Sequence, residues 1–202
     1  DNLDGHNVLK TKGAIHYLTS EEIEKDKEYL FSISSKLKDK NIISLIIGGP
    51  TQYYDYSDRN IQEIFSKVNY LVKENNLNLV VIPSMRTPKG TIEHAKIYFG
   101  NDHLVLDGVD KKAYLSALSQ SKHLVITCDS SSMISEAALT GKPIYIATIP
   151  PKKSDKRFKN FRKLFQEMKI VRELGEKLEN WNYEKLDETN RVANIIKDKI
   201  QL

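Results

Sequence analysis

Apolar positions along this chain follow two rhythms that take turns. Short, nearly unbroken apolar runs occupy 42–47, interrupted only by Ser44, and 77–82, with a briefer one at 104–106. Two further β-rich runs lie at 123–127 and 143–148. Between them the spacing becomes helical: Ile61, Ile64, Phe65, Val68 and Leu71 recur on one face, and helical patterns also cover 89–98 and 111–119. An earlier helix is expected to open at Thr19, with Glu22 in capping-box spacing and Glu21 in the first turn, and to run to about Lys38. From Ser154 on, the chain reads as helical. Phe158, Phe161, Leu164, Phe165 and Met168 form one apolar stripe, and Val192, Ile195, Ile196 and Ile200 carry a last helix over 188–200.

Strands that are apolar on both faces, separated by helices, predict a parallel sheet covered on both sides. Right-handed crossovers then give an α/β, Rossmann-like, doubly wound domain. Ligands of such sheets bind outside the carboxyl ends of the strands, and three loops leave those ends: 48–52, 83–90 and 127–132. Residues 1–20 show little periodicity and read as an interdomain arm or linker, followed by one domain over 21–202.

The 202 residues, 40% hydrophobic and 29% charged, suit an ordinary globular protein with a sizeable core. A net charge of +4 is too small to imply nucleic-acid binding, so none is expected. The single cysteine, Cys128, excludes an internal disulfide framework. No apolar run is long enough for a membrane span, and no signal-peptide pattern opens the chain. A cytoplasmic location is expected. The absence of an initial methionine suggests a processed or truncated chain.

The most informative stretch is 123–148, which reads strand, hydroxyl-rich turn, helix, glycine stop, strand. Asp129, Ser130, Ser131 and Ser132 offer N-cap side chains, and Gly141 closes the helix. Free backbone N–H groups and a partial positive charge make a helix start a seat for an anion. Glu136, two turns further along the same face as Asp129, could accept bonds from sugar hydroxyls, and Ser135 lies beside it. A plainer reading is a well-capped helix.

Elsewhere, Gly48 and Gly49 let the backbone after the first strand approach a ligand closely, or simply make a tight turn. Ser84, Arg86 and Thr87 place one guanidinium among hydroxyls after the second strand, suited to phosphate or to an ordinary surface. The run Lys152, Lys153, Lys156, Arg157, Lys159, Arg162, Lys163 reads as a solvated helix flank. Its rival is peripheral membrane contact through 152–163. The five histidines form no metal-binding spacing, and no metal is expected.

Taken together, D-N-L-D-G-H-N-V-L with G-A-I-H, then I-I-G-G-P-T, S-M-R-T-P, L-D-G, Y-L-S-A-L, T-C-D-S-S-S-M-I-S-E-A-A-L-T-G-K-P-I-Y, K-R-F-K-N-F and the W-N-Y-E-K-L-D-E-T-N-R-V-A tail resemble the mitochondrial-fission ELM (elongated mitochondria) family. The match runs nearly the whole chain, although Met85 stands where the family more often has an arginine. The resemblance implies the carboxy-terminal half of a two-domain GT-B glycosyltransferase-like architecture, with residues 1–16 joining it to a preceding Rossmann-like half. It implies a nucleoside-diphosphate sugar as donor substrate, no tightly bound cofactor, the diphosphate at Ser130–Ser132 with Arg86 assisting, and Glu136 on the ribose. The acceptor and the catalytic base would come mainly from the other half. A nucleotide-sugar epimerase on the same architecture, or a membrane-associated adaptor without enzymatic activity, are the alternatives. Lys-, Asn- and Ile-rich composition suggests a bacterial source, which ranks the adaptor last.

Overall fold

A computed structural model describes residues 4–200; residues 1–3 of the expected arm and 201–202 lie outside the described residues. In chain order the elements are α1 (Ser20–Lys25), α2 (Tyr29–Ile33), β1 (Ile42–Ile47), α3 (Asp58–Glu74), β2 (Asn78–Pro83), α4 (Lys89–Phe99), β3 (Leu104–Val105), α5 (Lys111–Gln120) and β4 (Ser121–Thr127). They continue with α6 (Ser131–Ala137), β5 (Ile144–Ala147), α7 (Lys156–Glu167), β6 (Val171–Glu173) and α8 (Glu188–Ile200). The six strands form one sheet in the order β3-β2-β1-β4-β5-β6, parallel throughout. This is the doubly wound, Rossmann-like α/β fold that the strand pattern predicts.

Every residue of β1, β2 and β5 is buried, which explains their lack of alternation. Ser44, the one polar residue of β1, is fully buried, and its hydroxyl shares a 2.7 Å hydrogen bond with that of Ser121 on β4. On α3 the predicted face of Ile61, Ile64, Phe65, Val68 and Leu71 is buried, joined by Val72.

The single helix expected over 19–38 is instead α1, α2 and a 3₁₀ turn at Ser35–Lys38. Thr19 does cap the start, accepting from the Glu22 amide at 3.2 Å. The break follows from Ser116 on α5. Its hydroxyl donates to the Lys27 carbonyl and accepts from the Leu30 amide at 3.1 Å, supplying partners that a continuous helix would find in itself. β6 was not anticipated: two of its three residues are exposed, so an edge strand this short leaves no apolar run to read.

Two predicted stripes are only partly used. On α7, Phe165 alone is fully buried, while Phe158, Phe161 and Leu164 are half-buried. On α8, Val192 is buried but Ile196 and Ile200 stay 44% and 56% exposed. That helix is anchored by its first turn instead. Glu188 accepts from the Lys12 amide at 2.8 Å, and Thr189 exchanges two bonds with the His16 backbone. The described part of the arm is therefore packed down, with the Ala14 amide donating to Ser135 Oγ on α6 at 2.9 Å.

Candidate functional site

Strand order reverses at β1, which has β2 on one side and β4 on the other. A sheet of this kind opens a crevice at that switch point, beyond the strands' carboxyl ends. The loops after β1, β2 and β4 meet there, as the sequence suggested.

They meet through Asp129. Its carboxylate, fully buried, accepts from the Gly49 amide at 3.1 Å, from the Tyr56 hydroxyl at 2.5 Å and from Arg86 Nη2 at 2.8 Å. The other arm of the guanidinium donates to the Gly49 carbonyl at 2.9 Å. Thr127 accepts from the Gly48 amide at 2.8 Å, and Thr87 donates to the carbonyls of Ile47 and Gly48. Ser84 closes a small turn with Thr87, its amide donating to Thr87 Oγ1 at 2.8 Å.

Several predicted site residues thus have protein partners. A Cβ on Gly48 would lie 2.2 Å from Asp129 Oδ2, and one on Gly49 would lie 2.1 Å from the Arg86 carbonyl oxygen. The glycines make room for the neighbouring loops. Asp129 does not cap α6; the N-cap is Ser130, whose side chain forms no capping bond. A carboxylate with three donors, one of them cationic, is better satisfied by the loops than by a helix start. Burial together with the Asp129 charge pushes the Tyr56 phenol far above its ordinary range, so it remains a donor.

The α6 turn opens to the crevice at Ser131 and Ser132, with Ser130 tucked beneath them. Ser130 is 7% exposed, Ser131 half-buried and Ser132 exposed, and their hydroxyls form no hydrogen bond within the described residues. Ser135 turns back instead, donating to the Ser131 carbonyl at 2.8 Å and holding Ala14. Gly141 ends the helical segment in the left-handed conformation, φ 72°, as its place in the sequence predicted. A cleft of about 580 Å³ opens between the arm and α7, bounded by Leu9, Gly13, Ser131, Arg157, Asn160 and Phe161. Glu136, half-buried, accepts from the Tyr114 hydroxyl through Oε2 at 2.6 Å.

Tyr56 and Tyr114 were missed in the sequence. Tyr56 lies in no motif; Tyr114 opens the Y-L-S-A-L segment of the resemblance but is given no site role there, although it sits in the first turn of α5, at the same pole of the sheet. The basic run divides. Lys152, Lys153, Lys156, Arg157, Lys159 and Lys163 are exposed, but Arg162 is only 12% exposed and donates to Asp155 at 3.0 Å and to Tyr54 at 2.8 Å. Cys128 is buried. Burial pushes its thiol up to about 11, which favours the protonated form at neutral pH. Among the described residues no group of three His, Cys, Asp or Glu side chains could hold a metal ion, and no helix is long and apolar enough to cross a membrane.

Comparison with known proteins places the chain in a family. A sequence model of the family described as Mitochondrial fission ELM1 matches residues 1–200. The chain is 27% identical over 209 residues to the uncharacterized protein RP120 of Rickettsia prowazekii (strain Madrid E), covering 96% of this chain and 56% of that protein. It is 26% identical over 205 residues to mitochondrial fission protein ELM1 of Arabidopsis thaliana, covering 96% and 45%. The chain spans about half the length of the curated relatives it matches. Among solved structures it resembles the S. aureus MnaA–UDP co-structure, with a TM-score of 0.53 at 19% identity over 83% of this chain and 40% of that one. It also resembles UDP-GlcNAc 2-epimerase from Neisseria meningitidis bound to UDP-GlcNAc, with a TM-score of 0.50 at 13% identity over 90% and 42%. Identities this low show a shared fold, the GT-B-type Rossmann-like domain.

Proposed function

We propose that this chain, which belongs to the mitochondrial fission ELM1 family, is the nucleotide-sugar-binding domain of a GT-B-type enzyme. The observation that carries the reading is convergence. Three loops are fastened together at the switch point of the sheet, and beside them lie the hydroxyls of Ser130–Ser132 and one carboxylate oxygen of Glu136, all without a partner among the described residues. The diphosphate would rest against the Ser130–Ser132 turn. Arg86, its side chain 43% exposed, would add charge from the clamp without leaving Asp129. Glu136 would accept the ribose hydroxyls. The similar folds that hold UDP and UDP-GlcNAc make uridine diphosphate the first ligand to try.

Calorimetric titration with UDP tests this. Binding that Glu136→Ala weakens about tenfold, the worth of one charged hydrogen bond, is the expected result. Absence of binding, or a variant indistinguishable from parent, would overturn it. The acceptor and the catalytic groups are assigned to a companion domain, so this chain should bind without turning over. Transfer is the first reading of the whole enzyme's reaction. Epimerisation is the second, favoured by the 2-epimerase named among the similar folds, and product analysis with UDP-GlcNAc in the full-length protein separates the two.

A further inference from the structure

Tyr114 bonds to Glu136 in a way that a purely architectural contact between α5 and α6 would not require. The phenol is half-buried in the first turn of α5 and donates to one carboxylate oxygen, Oε2, at 2.6 Å. Oε1 has no partner within the described residues. Burial, reinforced by the Glu136 charge, holds the phenol well above its ordinary range, so it stays a donor at any working pH. A glutamate has three rotatable bonds, and a free one on a half-exposed helix face spreads over many rotamers. Fixing one oxygen leaves the other aimed in a single direction. A vicinal diol, with two O–H donors side by side, is the group such an oxygen serves best.

We propose that Tyr114 is a positioning residue that holds Glu136 for a cis-diol, so that the site selects ribonucleoside over 2′-deoxyribonucleoside diphosphates. The inference rests on the diphosphate reading above and adds to it the sugar specificity and its source. Tyr114→Phe keeps the ring and its packing and removes only the donor. Glu136 is then free to rotate, and the 2′-hydroxyl loses a fixed acceptor.

The test compares UDP with 2′-deoxy-UDP by calorimetry on parent, Tyr114→Phe and Glu136→Asp chains, with melting temperatures recorded alongside. Parent should prefer UDP by about tenfold or more, the scale of one hydrogen bond to a charged group. In Tyr114→Phe the ratio should fall to about threefold or less, mainly through weaker UDP binding. Glu136→Asp keeps the charge but withdraws it from the phenol, and should lower the ratio likewise even if Tyr114→Phe does not fold. A merely structural tyrosine would lower the melting temperature and leave the ratio alone, which would overturn the inference. So would a parent that binds both nucleotides equally. A parent that binds neither removes the diphosphate reading itself, and this inference with it.

Discussion

Arg86 and Asp129 form an ion pair at 2.8 Å that fastens the loop after β2 to the loop after β4. Asp129 is fully buried and its other contacts, Gly49 and Tyr56, come from the β1–α3 connection. One carboxylate therefore sets the spacing of three strand ends. Asp129→Ala would leave the Gly49 amide without its acceptor, while the Tyr56 phenol keeps Thr127 Oγ1 at 3.0 Å and Arg86 can turn to water. Urea unfolding should show a loss of about 2–3 kcal/mol. Asp129→Asn keeps one acceptor oxygen, which can serve the Gly49 amide on the Oδ2 side while its amide group donates to the Tyr56 oxygen, and should lose less.

Gly48 and Gly90 make a matched pair of glycine tests. A methyl on Gly48 would run into the Asp129 carboxylate, so Gly48→Ala must open the clamp and should destabilise by at least about 1–3 kcal/mol. Gly90 lies in the first turn of α4 with nothing within 4 Å of the added carbon. There alanine restricts the unfolded chain and favours the helix, so Gly90→Ala should gain about 0.4–1 kcal/mol. Thermal melting of the two variants should move in opposite directions.

The fold was legible because buried parallel strands write themselves as apolar runs, and all five expected strands are present. What escaped were features set by distant partners. The 19–38 break depends on Ser116, far along the chain, and β6 depends on β5 to pair with. The three loops were picked correctly as neighbours, since strand polarity alone sends them to one pole. Their internal partners were not visible, because no spacing rule links Tyr56 or Arg86 to Asp129. Gly48-Gly49 shows the ambiguity best: the pattern reports that something comes close to the backbone, and the something is protein.

Stability should fall with acid in two stages. Burial lowers the pKa of His123 and His103, so their unfolded forms take up protons first, starting near the ordinary value of 6.5. Stability is thus full above that pH and declines below it. For Asp155, burial acts upward, yet the bonds from Tyr54 and Arg162 outweigh it and hold the carboxyl below its ordinary 3.8. For Glu188, the Arg191 bond lowers the carboxyl against the opposing effect of burial, below its ordinary 4.5. Their stabilisation is present above those ordinary values and is lost as pH falls toward the folded ones. Urea midpoints from pH 8 to pH 3 should show both declines, the upper one flattened in a His103→Asn/His123→Asn double variant.

Arg162 and Lys159 lie one turn apart on α7 and should behave as opposites. Arg162 reaches inward from the basic run to Asp155, itself buried, and to the Tyr54 hydroxyl, and burial together with the hydrogen bond to Asp155 pushes that phenol upward. Removing the guanidinium leaves a buried carboxylate with one donor, so Arg162→Ala should lose about 3–5 kcal/mol. Lys159 is solvated, and Lys159→Ala should change stability by no more than about 0.5 kcal/mol. The contrast decides how contact with an anionic membrane surface has to be tested. Charge reversal at Lys156 and Lys159, whose side chains make no hydrogen bond or ion pair among the described residues, alters the surface alone, and co-sedimentation with anionic liposomes can be read directly. Reversal at Arg162 would unfold the end of the helix and abolish co-sedimentation for the wrong reason.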